Sequence, residues 1–194
     1  MTTPRIVLAS TSRYRAELLR RLLDDFERIA PEVDEQPLPG EAPGARAVRL
    51  AAAKATAVSE KRRDAVVIGS DQVAALGGTI LHKPGSRDNA HEQLRASSGN
   101  TVHFYTGLCV FDGRDGRLQT YSDETRVVFR ALSDVEIRRY LARESPFDCA
   151  GSFKSEGAGI ALFERIESAD PTALIGLPLI ALARLLREAG IPVP

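Results

Sequence analysis

Short runs of apolar residues take turns along this chain with longer stretches whose apolar positions recur every three to four residues, the rhythm of an α/β protein. RIVLAS, Arg5 to Ser10, predicts a first strand. Ser12 is placed to cap a helix from Arg13 to about Leu23, because its hydroxyl can accept from the unpaired N–H groups of a first turn. Ala45 to about Lys61 reads as an alanine-rich helix with Arg46, Arg49 and Lys54 set into it. AVVIG, Ala65 to Gly69, is wholly apolar, as a strand covered on both faces is, and it is expected to end at the polar SDQ that follows. Gly77 and Gly78 lie between two short extended runs and predict a hairpin, with a helix near Asp88 to Ser97 after it. A larger hairpin is expected from Thr101–Phe111 and Leu118–Phe129 around DGRDG, whose glycines suit positive backbone angles, so the sheet mixes parallel and antiparallel pairs. Ser133–Arg143 and Leu179–Glu188 are the last predicted helices. In the second, Leu179, Leu182, Ala183 and Leu186 form one stripe and Gly190 supplies a stop.

Length and charge narrow what such a fold can be for. A chain of 194 residues can bury a substantial core and is read as one domain, residues 1–194, built of two lobes. Lys+Arg and Asp+Glu balance at 26 each, so no excess positive field exists to hold a nucleic acid by counterion release. No apolar run reaches membrane-spanning length, and MTTPRIVLAS lacks the basic and long apolar regions of a leader, which together predict a cytoplasmic protein without a membrane partner. Cys109 and Cys149 lack metal-ligand spacing and are expected to be buried thiols.

Polar groups gather in four stretches at strand ends or between glycines. In STSRYR, Ser10, Ser12 and Arg15 offer hydroxyl and guanidinium donors suited to phosphate oxygens at a helix start; the plain alternative is an N-cap beside a solvated arginine. In GSDQV, Asp71 and Gln72 follow a buried strand, where an aspartate can ligate a cation, orient a water, or simply form a turn. Lys54 and Lys83 can neutralise phosphate or lie solvated, and Glu35 in PEVDEQP is either a second cation-facing carboxylate or part of a charged loop. In GSFKSEG, Gly151 and Gly157, with Gly159 beyond, permit a tight turn displaying Lys154 and Glu156. His82, His91 and His103 lack metal spacing, and neither a P-loop nor a dinucleotide fingerprint is present. Phosphate donors, paired carboxylates and groups suited to a base edge together describe a nucleoside triphosphate site.

The stretches LASTSRYR, PEVDE, RLAAAKA, VVIGSDQV, HKP, SGN, FYTGL, CAGSFKSEG and IGLPL occur in the order seen in Maf-like nucleotide pyrophosphatases, and the chain resembles that family over nearly its whole length. The GSFKSEG loop resembles the branch acting on 7-methyl-GTP. The resemblance implies a mixed, strongly twisted sheet flanked by helices, two lobes with a central cleft, a homodimer, and a divalent cation such as Mg²⁺, Mn²⁺ or Co²⁺. It implies hydrolysis of a nucleoside triphosphate to the monophosphate and pyrophosphate, removing a modified nucleotide from the pool. By motif position Asp71 resembles the proton acceptor, Glu35 and Asp71 the metal-side carboxylates, and Ser10, Arg15, Lys54 and Lys83 the phosphate contacts. Tyr14, Gln72 and Glu156 fall where the family selects its base. The chain departs from the family pattern where Arg13 replaces a proline and Ala16 an arginine. A pyrimidine-directed (dTTP or UTP) pyrophosphatase and a non-catalytic nucleotide-binding regulator are the alternatives.

Overall fold

The computed structural model describes residues 4–194; Met1 to Thr3, the start of the stretch read above for a leader, lie outside the described residues. Seven strands form one mixed sheet: β1 (Arg5–Ala9), β2 (Glu27–Ile29), β3 (Ala65–Leu76), β4 (Thr79–Leu81), β5 (Thr101–Asp112), β6 (Arg117–Phe129) and β7 (Phe163–Glu167). Five α-helices accompany it: α1 (Arg13–Leu19), α2 (Pro43–Ser59), α3 (Arg87–Ser97), α4 (Asp134–Arg143) and α5 (Leu179–Glu188). The spatial order is β2-β1-β3-β5-β6-β7, with β4 paired to β3 beside this path. β1 is parallel to both its neighbours and the remaining pairs are antiparallel. The expected α/β class and mixed sheet therefore stand.

The period of two along the strands sorts side chains onto two faces. Ile6, Leu8, Val66, Ile68, Leu108 and Val110 pack with α1 and α5 on one face; Val7, Ala9, Ala65, Val67 and Cys109 pack under α2 on the other. α2 lies close because two strand positions are glycine. A Cβ at Gly69 would fall 2.2 Å from the Ala51 carbonyl oxygen and one at Gly107 2.2 Å from that of Ala47. Beyond this first lobe, β3, β5 and β6 continue into a second, whose core joins Phe104, Phe129, Phe153 and Leu94 with α3 and α4. There Phe153 meets Phe104, Phe129 and Phe163 edge-on, at ring centroid distances of 5.3, 5.7 and 4.7 Å, a preferred aromatic geometry.

Three expectations need correction. β3 does not end at SDQ but runs on to Leu76, because β5 pairs with it without a break from Val66 to Leu76 and main-chain bonds are indifferent to polar side chains. Asp71 is therefore a mid-strand residue. The first helix stops at Leu19 instead of about Leu23, its end tightening into single turns through Arg20–Leu23. β2 and β7 went unpredicted, being three- and five-residue edge strands rich in Glu and Arg without an apolar alternation. Among the described residues no helix is long and apolar enough to cross a membrane.

Candidate active site

On one edge of β3, pairing with β1 stops at Gly69 and pairing with β4 begins at Ala74, so Ser70 to Val73 have no strand beside them there. A cleft of about 790 Å³ opens over this gap. Asp71 is opposite Gly107 on the ladder and so shares the face covered by α2, whereas Ser70 and Gln72 project to the other face. Because the edge is bare, both faces reach the same cleft.

On the α2 side, the Lys54 ammonium is held between two carboxylates, with Nζ 2.6 Å from Asp71 Oδ1 and 2.7 Å from Glu35 Oε1. Lys54 and Asp71 are 7 % and 8 % exposed, a burial that charged groups tolerate only when paired. Glu35 belongs to the loop between β2 and α2, which has neither helix nor strand; two arginines of α2 tie it down. Arg46 Nη2 donates to the Glu35 main-chain oxygen at 2.8 Å, and Arg49 Nη2 donates to the Gln36 oxygen at 3.1 Å and to Glu41 Oε2 at 2.8 Å. Partial burial pushes the Glu35 pKa up, but the hydrogen bond and charge of Lys54, with the fields of Lys83 and Arg15, outweigh it and hold Glu35 below the ordinary value. The carboxylate oxygens that Lys54 does not take, Asp71 Oδ2 and Glu35 Oε2, are donors of the kind that suits a hard divalent cation. No group of three or more His, Cys, Asp or Glu converges among the described residues, so such an ion would complete its shell with water and phosphate, as Mg²⁺ commonly does.

On the other side, Ser12 caps α1 by accepting from the Arg15 N–H at 3.3 Å, and Ser10 Oγ accepts from the Ser12 N–H at 3.1 Å. Arg15 Nε donates to the Gly176 carbonyl at 2.9 Å, which aims the rest of the guanidinium at the cleft wall. Burial pulls the Arg15 pKa down, against the opposing charges of Asp71 and Glu35. Gln72 Nε2 lies 3.0 Å from Thr106 Oγ1 and the Ala173 oxygen and 3.1 Å from the Leu174 oxygen. Its donors are engaged internally, leaving Oε1 as the atom it can offer a ligand. The Tyr14 ring is covered on one face by Arg13, whose guanidinium carbon sits 4.8 Å from the ring centroid while Nη2 donates to the phenol oxygen at 2.9 Å.

The GSFKSEG turn is built so that only its tip is free. Gly151 has φ +76° and Ser152 φ +63°; a Cβ at Gly151 would lie 2.9 Å from the Phe104 ring. Phe153 is buried, the Lys154 N–H donates to the Tyr140 hydroxyl at 3.0 Å, and the Lys154 carbonyl accepts from Gly159 N at 3.1 Å. Glu144 accepts from Ala158 N at 3.0 Å, close enough that a Cβ on Gly157 would meet its carboxylate at 2.6 Å. Glu156 stands exposed on this scaffold at the cleft rim.

The sequence profile of the Maf-like protein family matches residues 5–189. The chain belongs to the Maf family. It is 57 % identical over 192 residues to a protein of Burkholderia thailandensis, covering 97 % of this chain and 89 % of that one, and 58 % identical over 191 residues to one of Xanthomonas oryzae, covering 98 % and 100 %. A Cupriavidus pinatubonensis protein is 53 % identical over 189 residues, with 97 % and 95 % covered. Each of these relatives carries the name 7-methyl-GTP pyrophosphatase.

In this Maf-family chain one cleft is lined by the ten residues given roles above, Ser10, Ser12, Tyr14, Arg15, Glu35, Lys54, Asp71, Gln72, Lys83 and Glu156, whereas Lys154 of the GSFKSEG turn does not line it. Lys83 is exposed, on the loop after β4. Arg46 was missed as a lining residue, although it lies eight positions before Lys54 on the same helix face; its buried Nε has no hydrogen-bond partner among the described residues. The main-chain carbonyls of Ala173, Leu174 and Gly176 were also missed, since a carbonyl leaves no mark in sequence. Cys109 is buried as expected, but Cys149 is half-buried on the cleft wall; burial pushes both thiols up to about 12, with Asp148 adding to the effect at Cys149. Of the histidines, His103 lies 2.8 Å from Glu124 and His82 lines the cleft.

Proposed function

We propose that this chain is a nucleoside triphosphate pyrophosphatase that converts 7-methyl-GTP to 7-methyl-GMP and pyrophosphate. The observation that carries the reading is the separation of two chemistries in one cleft: the Glu35–Lys54–Asp71 cluster on one wall and the exposed carboxylate of Glu156, held out on a hydrogen-bonded turn, at the rim that Asp148 also lines. It is supported by 53–58 % identity to relatives bearing that name.

In the reaction, a water attacks the α-phosphorus, Asp71 accepts its proton, and the bond from the α-phosphorus to the α,β-bridging oxygen breaks. Lys54 orients the Asp71 carboxylate and, with Lys83 and Arg15, offsets the charge that develops on the phosphate oxygens and on leaving pyrophosphate. Ser10 and Ser12 line the same end of the cleft and offer hydroxyls to the phosphates. A divalent cation held by Asp71 and Glu35, whether Mg²⁺, Mn²⁺ or Co²⁺, would supply further neutralisation of the phosphates. At the rim Glu156 accepts from N1–H and the exocyclic amine of guanine together, a bidentate contact. Uracil and thymine would turn a carbonyl oxygen toward the same carboxylate, so one residue both attracts guanine and rejects pyrimidines.

The deciding experiment measures pyrophosphate release from 7-methyl-GTP, GTP, UTP and dTTP with each metal and with EDTA. 7-Methyl-GTP should show the highest kcat/KM and EDTA should abolish turnover. Preference for UTP or dTTP, or tight binding without pyrophosphate release, would overturn the reading. A homodimer and a cytoplasmic setting belong to the same proposal, the first checked by light scattering and the second by fractionation.

A further inference from the structure

Among the described residues Arg15 has no side-chain partner that fixes it toward the cleft, and Gln72 has one, Thr106 Oγ1 at 3.0 Å. Both are held by main-chain carbonyls of one turn, residues 170–178: Arg15 Nε bonds to Gly176 O, and Gln72 Nε2 to Ala173 O and Leu174 O. Ser70 Oγ, at 2.9 Å from Gly176 O, and Thr106 Oγ1, at 3.0 Å from Ala173 O, anchor the same turn to the sheet. The turn contributes no catalytic side chain of its own, so its shape is its contribution.

That shape is set by a buried carboxylate outside the cleft lining. Asp170 is 2 % exposed. Its Oδ1 accepts from the Thr172 N–H at 2.9 Å and from the Thr172 hydroxyl at 2.6 Å, and its Oδ2 accepts from Ile180 N at 2.7 Å. Thr172 Oγ1 in turn accepts from Leu179 N at 2.8 Å. The N-cap position of α5 is Pro178, which provides no side-chain cap, so Asp170 and Thr172 together satisfy two first-turn N–H groups from outside the helix. One carboxylate thus ties the entrance of the turn to its exit. Gly176, at φ +120°, completes the close approach, since a Cβ there would lie 3.4 Å from Arg15 Nε.

We infer that Asp170 is a positioning residue that acts through this turn to hold Arg15 on the phosphates and Gln72 at the base. The inference rests on the proposed function for the meaning of those two contacts, but its coupling can be read without turnover. The test is a double-mutant cycle in tripolyphosphate binding by wild type, Asp170→Asn, Arg15→Ala and the double variant. The Asn amide keeps the side-chain volume but turns N–H toward Ile180 N–H or loses the contacts to Thr172. Asp170→Asn should weaken tripolyphosphate about 10-fold, the scale of one charge-assisted hydrogen bond at Arg15. The double variant should be no weaker than Arg15→Ala alone, because the two changes remove the same contact. The ratio of kcat/KM for 7-methyl-GTP over UTP should fall as well, through Gln72. Should Asp170→Asn not fold, Thr172→Val runs the same cycle, and Thr172→Ser should restore wild-type affinity. A lowered Tm with unchanged tripolyphosphate affinity, or effects that multiply in the double variant, would show a purely structural Asp170. If wild type releases no pyrophosphate the proposed activity fails while the cycle still decides the coupling; if it turns over and the effects multiply, the coupling alone fails.

Discussion

A lysine ammonium as buried as Lys54 persists because Asp71 and Glu35 compensate it, so the three are coupled and a substitution tests one role only when it keeps an oxygen on Lys54. Asp71→Asn keeps the shape and an oxygen for Lys54 while removing the proposed proton acceptor. Turnover should fall by roughly 10² to 10⁴-fold with nucleotide affinity largely kept, the scale of lost general-base assistance. Parallel measurement of pyrophosphate release and nucleotide Kd checks it, and near-normal turnover in a folded variant would take Asp71 out of that role. A different test comes from Arg13, the residue standing where the family carries proline. Its guanidinium covers one face of Tyr14, so a cationic N7-methyl ring stacking on that face would compete with it. Two cations cannot share that face. Arg13→Ala should therefore raise the preference for 7-methyl-GTP over GTP, and Tyr14→Ala should lower it, each by about 2- to 30-fold for a cation–aromatic contact of about 0.5 to 2 kcal/mol. An unchanged ratio in both variants would place the methylated ring away from Tyr14.

Among the elements, α2 carries Lys54 and ties down the Glu35 loop through Arg46 and Arg49, and two devices place this wall. The first is contact: Gly107, opposite Asp71, lets the helix backbone touch the sheet. In Gly107→Ala the new methyl would overlap the Ala47 carbonyl, so α2 must lift and take Lys54 with it, costing about 1 to 3 kcal/mol of stability. Activity should fall further than that of a surface variant with the same loss of Tm; equal activities would mean that the placement of α2 is tolerant. The second device is the Arg49–Glu41 clasp on the Glu35 loop. The hydrogen bond from Arg49 lowers the Glu41 pKa from 4.5 to about 2, so the folded state binds fewer protons there than the unfolded one. The stabilisation is complete above 4.5 and is lost as pH falls toward about 2. The Tm difference between wild type and Glu41→Gln should accordingly be constant near neutrality and shrink across that acid window. Neither device was visible from periodicity. Apolar rhythm marks where α2 and the first half of β3 lie, but Gly107 reads as one small residue in an apolar run, and the 41–49 pairing depends on a loop folding back onto a helix.

At the scale of the molecule, the ten residues singled out from the sequence converge because strand order and a bare edge bring them together. Motif order made the residues legible, since side-chain chemistry is written in sequence. The gap between β1 and β4 on the edge of β3 was not legible, because it follows from which strands pair, and neither were the carbonyls of the 173–176 turn. The same geometry yields a further expectation. The cation-bearing wall and Glu156 belong to different parts of the chain, with the first lobe supplying α2 and the second supplying the 151–159 turn beside Phe104 and Phe153. A ligand that reaches both should brace the lobes against each other, whereas a fragment reaching one should not. A 7-methyl-GTP analogue with a non-hydrolysable α,β bridge, present with Mg²⁺ at about 100 times its Kd, adds about 2.7 kcal/mol to stability by mass action. For a chain of this length that corresponds to a rise in Tm of roughly 5 to 10 °C. At equal concentrations tripolyphosphate and 7-methylguanosine should each give less, and together should still fall short of the linked analogue, because linking makes the second contact intramolecular. Thermal melts with the four ligand conditions measure this directly. If the analogue raised Tm no further than tripolyphosphate, the base end of the cleft would contribute nothing to binding, and Glu156 would be a solvated loop charge.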